Sequence, residues 1–352
     1  MAATTKERAR LAERKKDLKP EQLTAIREAE DDPASVAVDA LHAALYPGHP
    51  LGRPVRGTTA SVERLSRDDV AAFHARWCRP SVTTLVAVGD LDPDRVVDAV
   101  AAELSDWTGT APPATIAPLP PPPSARSLLR RSMPDKSQAD IAYGFVGLAR
   151  RDDDYFPAVV MNNVLGQYAL GGRLGDSIRE RQGMAYYVYS SLDAGLAAGP
   201  FMVRAGVAAA NVERTIASID AELLRVLDGG FTVEEVADSK RYLVGSLPRQ
   251  LETNAGIAGF LLAAELYGLG IDYDVRLPGL IESVTDDDVR RMAHRFLDPS
   301  RATVVVAVHR MRYAMAHPEE APSRIAKLIE RRPFGSRSVV FVVVPGTSRV
   351  TT

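Results

Sequence analysis

Residues 61–88 read "SVERLSRDDVAAFHARWCRPSVTTLVAV" and residues 280–307 read "LIESVTDDDVRRMAHRFLDPSRATVVVA". The two align without a gap at an offset of 219. Nine of the 28 positions are identical: Glu63, Asp68, Asp69, Val70, Arg76, Pro80, Ser81, Thr84 and Val86 recur. Each copy carries the same local instructions. Ser66 and Thr285 stand where a helix N-cap accepts a backbone hydrogen bond, and Asp69 and Asp288, three residues on, complete a capping box at the positive helix end. Val70, Phe73 and Trp77, like Val289, Met292 and Phe296, fall on one stripe that is expected to be buried. Pro80 and Pro299 stop the helix. The β-branched runs that follow, 83–88 and 302–308, predict strands. The chain therefore contains a duplicated helix–strand unit.

The duplication permits an arithmetic test. A block running from Ser137 to Ile281, roughly 145 residues, leads into the second copy, but only about 60 residues precede the first. If the two parts are duplicates, the first lacks on the order of 80 residues at its front. Residues 111–124, "APPATIAPLPPPPS", are half proline and predict a stiff extended spacer. The expected organisation is a partial first domain (1–110), a linker (111–124), a second domain (125–311) and a tail (312–352). In the tail, 323–332 predicts a short amphipathic helix and 338–346 a strand.

Within the second block, 137–149 predicts a strand and 152–169 a helix. "GGRLGDSIRERQ" (171–182) predicts a glycine-led helix, and 184–194 and 199–208 an antiparallel pair. Residues 211–230 predict a helix with Asn211 at its start and Gly229–Gly230 at its end, and 232–268 further helices. Strands that cluster as hairpins, rather than alternating with helices, predict an α+β fold of antiparallel sheet with helices on one face.

Composition narrows function. The chain has 352 residues, 46% of them apolar, and a net charge of −2 with pI near 6.3, which does not favour nucleic acid or anionic membrane as partner. The single cysteine, Cys78, excludes an internal disulfide framework and a multi-cysteine metal site. The first twenty residues do not read as a secretory signal, and no uninterrupted apolar run is long enough for a membrane span. A cytoplasmic location is expected.

One stretch stands out: "RERQGMAYYVYSS" (179–191) sets three tyrosines within four positions in a chain with only 6% aromatics. Together with "GPFMVRAGV", "GFTVEEVADSKRYLVGSL" and "VTDDDVRRMA", it resembles the second domain of the insulinase–pitrilysin zinc peptidases, the group that includes the mitochondrial processing peptidase type. "EDDPASVAVDALHAALYPGHPLGRPVRGT" with "LVAVGDLDPDRVV" resembles the back half of that family's first domain. The likeness covers about residues 20–310, in the family's order. It implies two related α+β domains around a chamber for unfolded peptides. One domain would carry His-x-x-Glu-His, whose histidines hold zinc on one helical face while the glutamate activates water. The other would supply an arginine and a tyrosine seven residues apart that hold substrate and stabilise the oxyanion. Arg179 and Tyr186 match that pair, with Gly183 turning the chain between them.

The zinc motif itself is absent. The histidines are His42, His49, His74, His294, His309 and His317, and no two stand four apart. The family's third metal ligand would fall near Thr24 or Ala25; Glu21 and Glu28 are close by but are not assigned. His42 and His49 flank the "LYPGHP" turn and are expected to be surface or capping groups. His74 and Cys78 have a metal-compatible spacing, but their repeat partners are Ala293 and Leu297, so Cys78 is expected in a core. Gly171–Gly172 is expected to lead into a helix rather than cradle a phosphate. The reading is a zinc-free, substrate-holding subunit of a zinc metalloendopeptidase, with no cofactor of its own and zinc in a homologous partner chain. It is not expected to be active alone. The alternatives are a non-catalytic scaffold or peptide-binding homologue, or the truncated product of a longer metallopeptidase.

Overall fold

The computed structural model describes residues 5–133, 136–168 and 171–308, with side chains from residue 18 onward. The tail readings at 323–332 and 338–346 lie outside the described residues. The fold is α+β. Its one sheet, among the described residues, is built from β1 (Ser127–Ser132), β2 (Gln138–Val146), β3 (Ala185–Leu192), β4 (Pro200–Ala208) and β5 (Thr303–Val308), in the order β1-β5-β2-β4-β3. Three of its four pairings are antiparallel; β1 runs parallel to β5, so the sheet is mixed. The expected hairpin is present: β3 pairs with β4, and β4 in turn pairs with β2 along its whole length.

Twelve helices among the described residues frame this sheet. Before it come α1 (Thr5–Glu30), α2 (Pro33–Leu45), α3 (Thr59–Arg64), α4 (Arg67–Trp77) and α5 (Pro93–Glu103). Between strands lie α6 (Tyr155–Asn162), which runs on into a π-helical turn, and the short α7 (Gly172–Leu174), which continues as a second π turn at Gly175–Glu180. Then follow α8 (Val212–Gly229), α9 (Val233–Gln250), α10 (Asn254–Leu266), α11 (Tyr273–Glu282) and α12 (Asp286–Phe296). The principal core lies between one sheet face and α6, α8 and α12. There Ile141, Tyr143, Val203, Val304 and Val306 meet Met161, Ile219, Leu223 and Met292. The other face is also covered in part, by α2: its Ala37, Leu41 and Leu45 pack on Ala142, Met202, Val305 and Ala307. Gly144 permits this approach, because a methyl there would lie 2.7 Å from a Leu41 carbon.

The local grammar of the repeat holds. Ser66 with Asp69, and Thr285 with Asp288, form capping boxes, and α4 and α12 have bounds offset by 219 residues. A short 3-10 turn begins at Pro80 and again at Pro299. Two expectations fail in the first copy. Residues 83–88 form no strand, and Val70 and Phe73 are exposed, Phe73 at 63%, whereas Val289, Met292 and Phe296 are buried. Cys78 is correspondingly only half-buried rather than in a core. The physical reason is common to all three: among the described residues, no strand lies beside 83–88 to complete a sheet over α4. Asn211 also differs from expectation. It stands at the N-cap of α8 but makes no capping bond, its amide donating instead to the Met184 carbonyl.

Candidate functional site

The site at the start of β3 is assembled by a helix end, a glycine and a bulge. The π turn 175–180 ends near Arg179, whose carbonyl accepts from the Gly183 N–H at 3.1 Å; the Met184 N–H reaches the Ile178 carbonyl at 3.2 Å. Gly183 has φ of 61°, a left-handed conformation a side chain would strain. The chain then enters β3, where Ala185 pairs with Val207 and Tyr187 with Gly206. Tyr186 is thus the extra residue of a β-bulge, a device that re-aims a side chain at the end of a strand.

The three tyrosines consequently have three different environments. Tyr187 donates to the carboxylate of Asp140, and Tyr189 accepts from Arg204 at 2.8 Å. Tyr186 is 65% exposed, and its phenol has no hydrogen-bond partner among the described residues. The Arg179 side chain is 41% exposed and pairs loosely with Glu180 at 3.6 Å. Neither sequence-predicted residue is consumed by the fold. Arg173, in contrast, is fixed by two short bonds to Glu235 at 2.6 and 2.5 Å and lies over Phe231.

Asp140 was not singled out from the sequence. It is 3% exposed on β2, and burial pushes its carboxyl above the usual range, against the opposing pull of the Tyr187 hydroxyl. It lines a cavity of about 360 Å³ with Asp32, Lys136, Gln138 and Tyr187. The available signal was one carboxylate inside an otherwise apolar strand. Asp32 is the N-cap of α2 and bonds both the N–H and hydroxyl of Ser35.

No described group of three or more His, Cys, Asp or Glu side chains is arranged to hold a metal ion. His49 is buried and caps a short turn, accepting from the Leu51 N–H, while its other ring nitrogen bonds the Ala117 carbonyl. His42 bonds the Leu51 carbonyl. Thr24, Ala25, Glu21 and Glu28 are exposed on α1. These described side chains do not make a zinc donor set. Gly171 and Gly172, both at positive φ, lead into α7 as expected.

The family description "Peptidase M16 inactive domain" matches residues 64–243. An uncharacterised zinc protease of Streptomyces coelicolor is 31% identical over 281 residues, 78% of this chain and 61% of that protein. The probable mitochondrial-processing peptidase subunit beta of Schizosaccharomyces pombe is 28% identical over 135 residues, 38% of this chain and 30% of that one. The crystal structure of a peptidase M16 inactive domain from Pseudomonas fluorescens superposes with a TM-score of 0.74 at 28% identity, covering 83% of this chain and 69% of the other. The chain spans about three fifths of the length of the Streptomyces relative.

Proposed function

The chain belongs to the peptidase M16 family, in the group described as its inactive domain, and from that premise we propose that it is the substrate-holding subunit of a zinc endopeptidase whose metal sits in a homologous partner chain. The observation that carries this reading is the bulge at Tyr186. It leaves an exposed, unbonded phenol seven residues from an exposed guanidinium, on either side of a glycine turn. Both groups are hydrogen-bond donors, and one is permanently charged. They suit an extended peptide's carbonyl, and they strengthen their hold as that oxygen gains negative charge. When bound in the partner, zinc supplies the activated water; this chain contributes grip and charge stabilisation. The substrate is an unfolded peptide or precursor, and the assembly a cytoplasmic hetero-oligomer. No described helix is long and apolar enough to cross a membrane.

The test is turnover. The chain alone is expected to cleave no peptide in zinc-containing buffer. Co-purified with a partner bearing His-x-x-Glu-His, it is expected to support cleavage that Arg179→Ala slows by ~10²–10³-fold, the usual effect of deleting one oxyanion donor. Zinc-dependent cleavage by the isolated chain, or unchanged turnover in the variant, would overturn the assignment.

A further inference from the structure

Near one end of the sheet, three positions stand side by side across three strands. Gly206 of β4 is opposite Asp140 of β2 on one side and Tyr187 of β3 on the other. The Tyr187 ring lies over Gly206, and its hydroxyl donates to the Asp140 carboxylate beyond. The missing side chain makes the space: a methyl on Gly206 would stand 2.5 Å from Tyr187 Cε1 and 2.7 Å from Gln138 Nε2. Gln138 Nε2 approaches the other Asp140 oxygen at 3.4 Å. Asp140 is 3% exposed, so water competes poorly for the bond from Tyr187. A hydroxyl donating to a buried carboxylate is among the stronger hydrogen bonds a protein makes.

The neighbouring phenol has no such seat. Tyr186 and Tyr187 are adjacent and chemically identical, and only one ring can lie over Gly206. The bulge between Ala185 and Tyr187 is where that choice is made. It leaves Tyr186 exposed while Tyr187 turns inward and is half-buried. A bulge interrupts the ladder only locally, and a one-residue slip of a strand exchanges its inward and outward side chains. Something must therefore hold the inward ring in place. Tyr189 steadies it along the strand: the two ring centroids are 5.8 Å apart, and the Tyr189 hydroxyl accepts from Arg204. Across the strands, the holding group is Asp140.

We propose that Asp140 and Tyr187 form a latch that fixes the bulge, and that Asp140 is a positioning residue. Acting through Tyr187 and the shared backbone of β3, it keeps the Tyr186 phenol turned outward and available to a peptide. The inference rests on the peptide-gripping role proposed for Tyr186, and it adds two residues that need touch no substrate. The latch requires an acceptor on β2, bare backbone at Gly206 and a hydroxyl at 187. It does not require charge on Asp140, because an amide oxygen also accepts. That separates a latch from a carboxylate that binds a cation, for which the charge is essential.

The test uses the full chain and two readouts. Amide exchange at 185–188 reports the bulge itself, and anisotropy of fluorescein-labelled oxidised insulin B chain reports the grip. Tyr187→Phe and Asp140→Ala are each expected to quicken exchange at 185–188 by about tenfold relative to 201–205, as for loss of one hydrogen bond to a charged group. Each is also expected to weaken peptide binding several-fold. Asp140→Asn, whose amide oxygen still accepts from Tyr187, is expected to restore most of what Asp140→Ala loses in both readouts. In a Tyr186→Phe background, Tyr187→Phe is expected to weaken binding no further, because it acts through the phenol already removed. Three results would each overturn the proposal: unchanged exchange in Tyr187→Phe; Asp140→Asn behaving like Asp140→Ala; or Tyr187→Phe weakening binding undiminished in the Tyr186→Phe background. If binding to the parent chain is indifferent to Tyr186→Phe, the peptide-gripping role falls by itself and exchange alone decides the latch. Quickened exchange in Tyr187→Phe with rescue in Asp140→Asn then supports it, and unchanged exchange overturns it.

Discussion

Tyr186, Tyr187 and Tyr189 show how adjacent, identical side chains acquire different roles. The pleat sends 187 and 189 to the face that carries Asp140 and Arg204, where each phenol is satisfied; the bulge takes 186 out of that alternation. The spacing from Arg179 to Tyr186 was legible in the sequence because flanking motifs gave it context. Asp140 was not, because a single carboxylate in an apolar strand is a weak signal until its burial and its bond from Tyr187 are seen. Two carboxylates make opposite predictions. Asp140 has a raised folded-state value, so its contribution is most favourable below the ordinary 3.8 and is lost as pH rises through the folded value. Asp140→Asn should therefore gain stability relative to the parent between acid and neutral pH in parallel urea titrations. Asp288 is held at about 2 by the Thr285 hydroxyl and Arg291. Its contribution is present above 3.8 and is lost as pH falls toward 2, so Asp288→Asn should flatten the acid limb of the stability curve in that window.

At the level of elements, α4 and α12 share cap, stop and apolar stripe, yet only one is buried. Sequence periodicity reports which face wants burial, not whether a partner is there to supply it. The same limit explains residues 83–88, whose composition favours a strand but which cannot be one without a neighbour. Met292→Ala should cost about 2–5 kcal/mol in urea denaturation through transfer and cavity terms, and Phe73→Ala should change stability by no more than about 0.5 kcal/mol, as for an ordinary surface substitution. A large loss at Phe73 would mean that α4 is packed after all. The position of α2 on the far face of the sheet was not legible, since its apolar residues specify no partner. Gly144→Ala tests it: the added methyl presses on Leu41 and should cost about 1–3 kcal/mol by overpacking. A second substitution, Leu41→Ala, should then cost less than it does in the parent, because the two sites are in contact.

Across the described residues, a five-stranded sheet is covered on one face by α6, α8 and α12 and in part on the other by α2, while α4 presents its apolar stripe to solvent. The resemblance to insulinase-type peptidases was carried by several segments in order, and family membership agrees with it. The central claim is that this molecule grips peptide through Arg179 and Tyr186. Its most direct measurement is a binding titration of the full chain with a fluorescein-labelled unfolded peptide, oxidised insulin B chain, followed by anisotropy. The account predicts saturable binding that weakens at least about tenfold, or ~1.4 kcal/mol, in each of Arg179→Ala and Tyr186→Phe, with melting temperatures unchanged. Superimposable isotherms for the parent and both variants would contradict it.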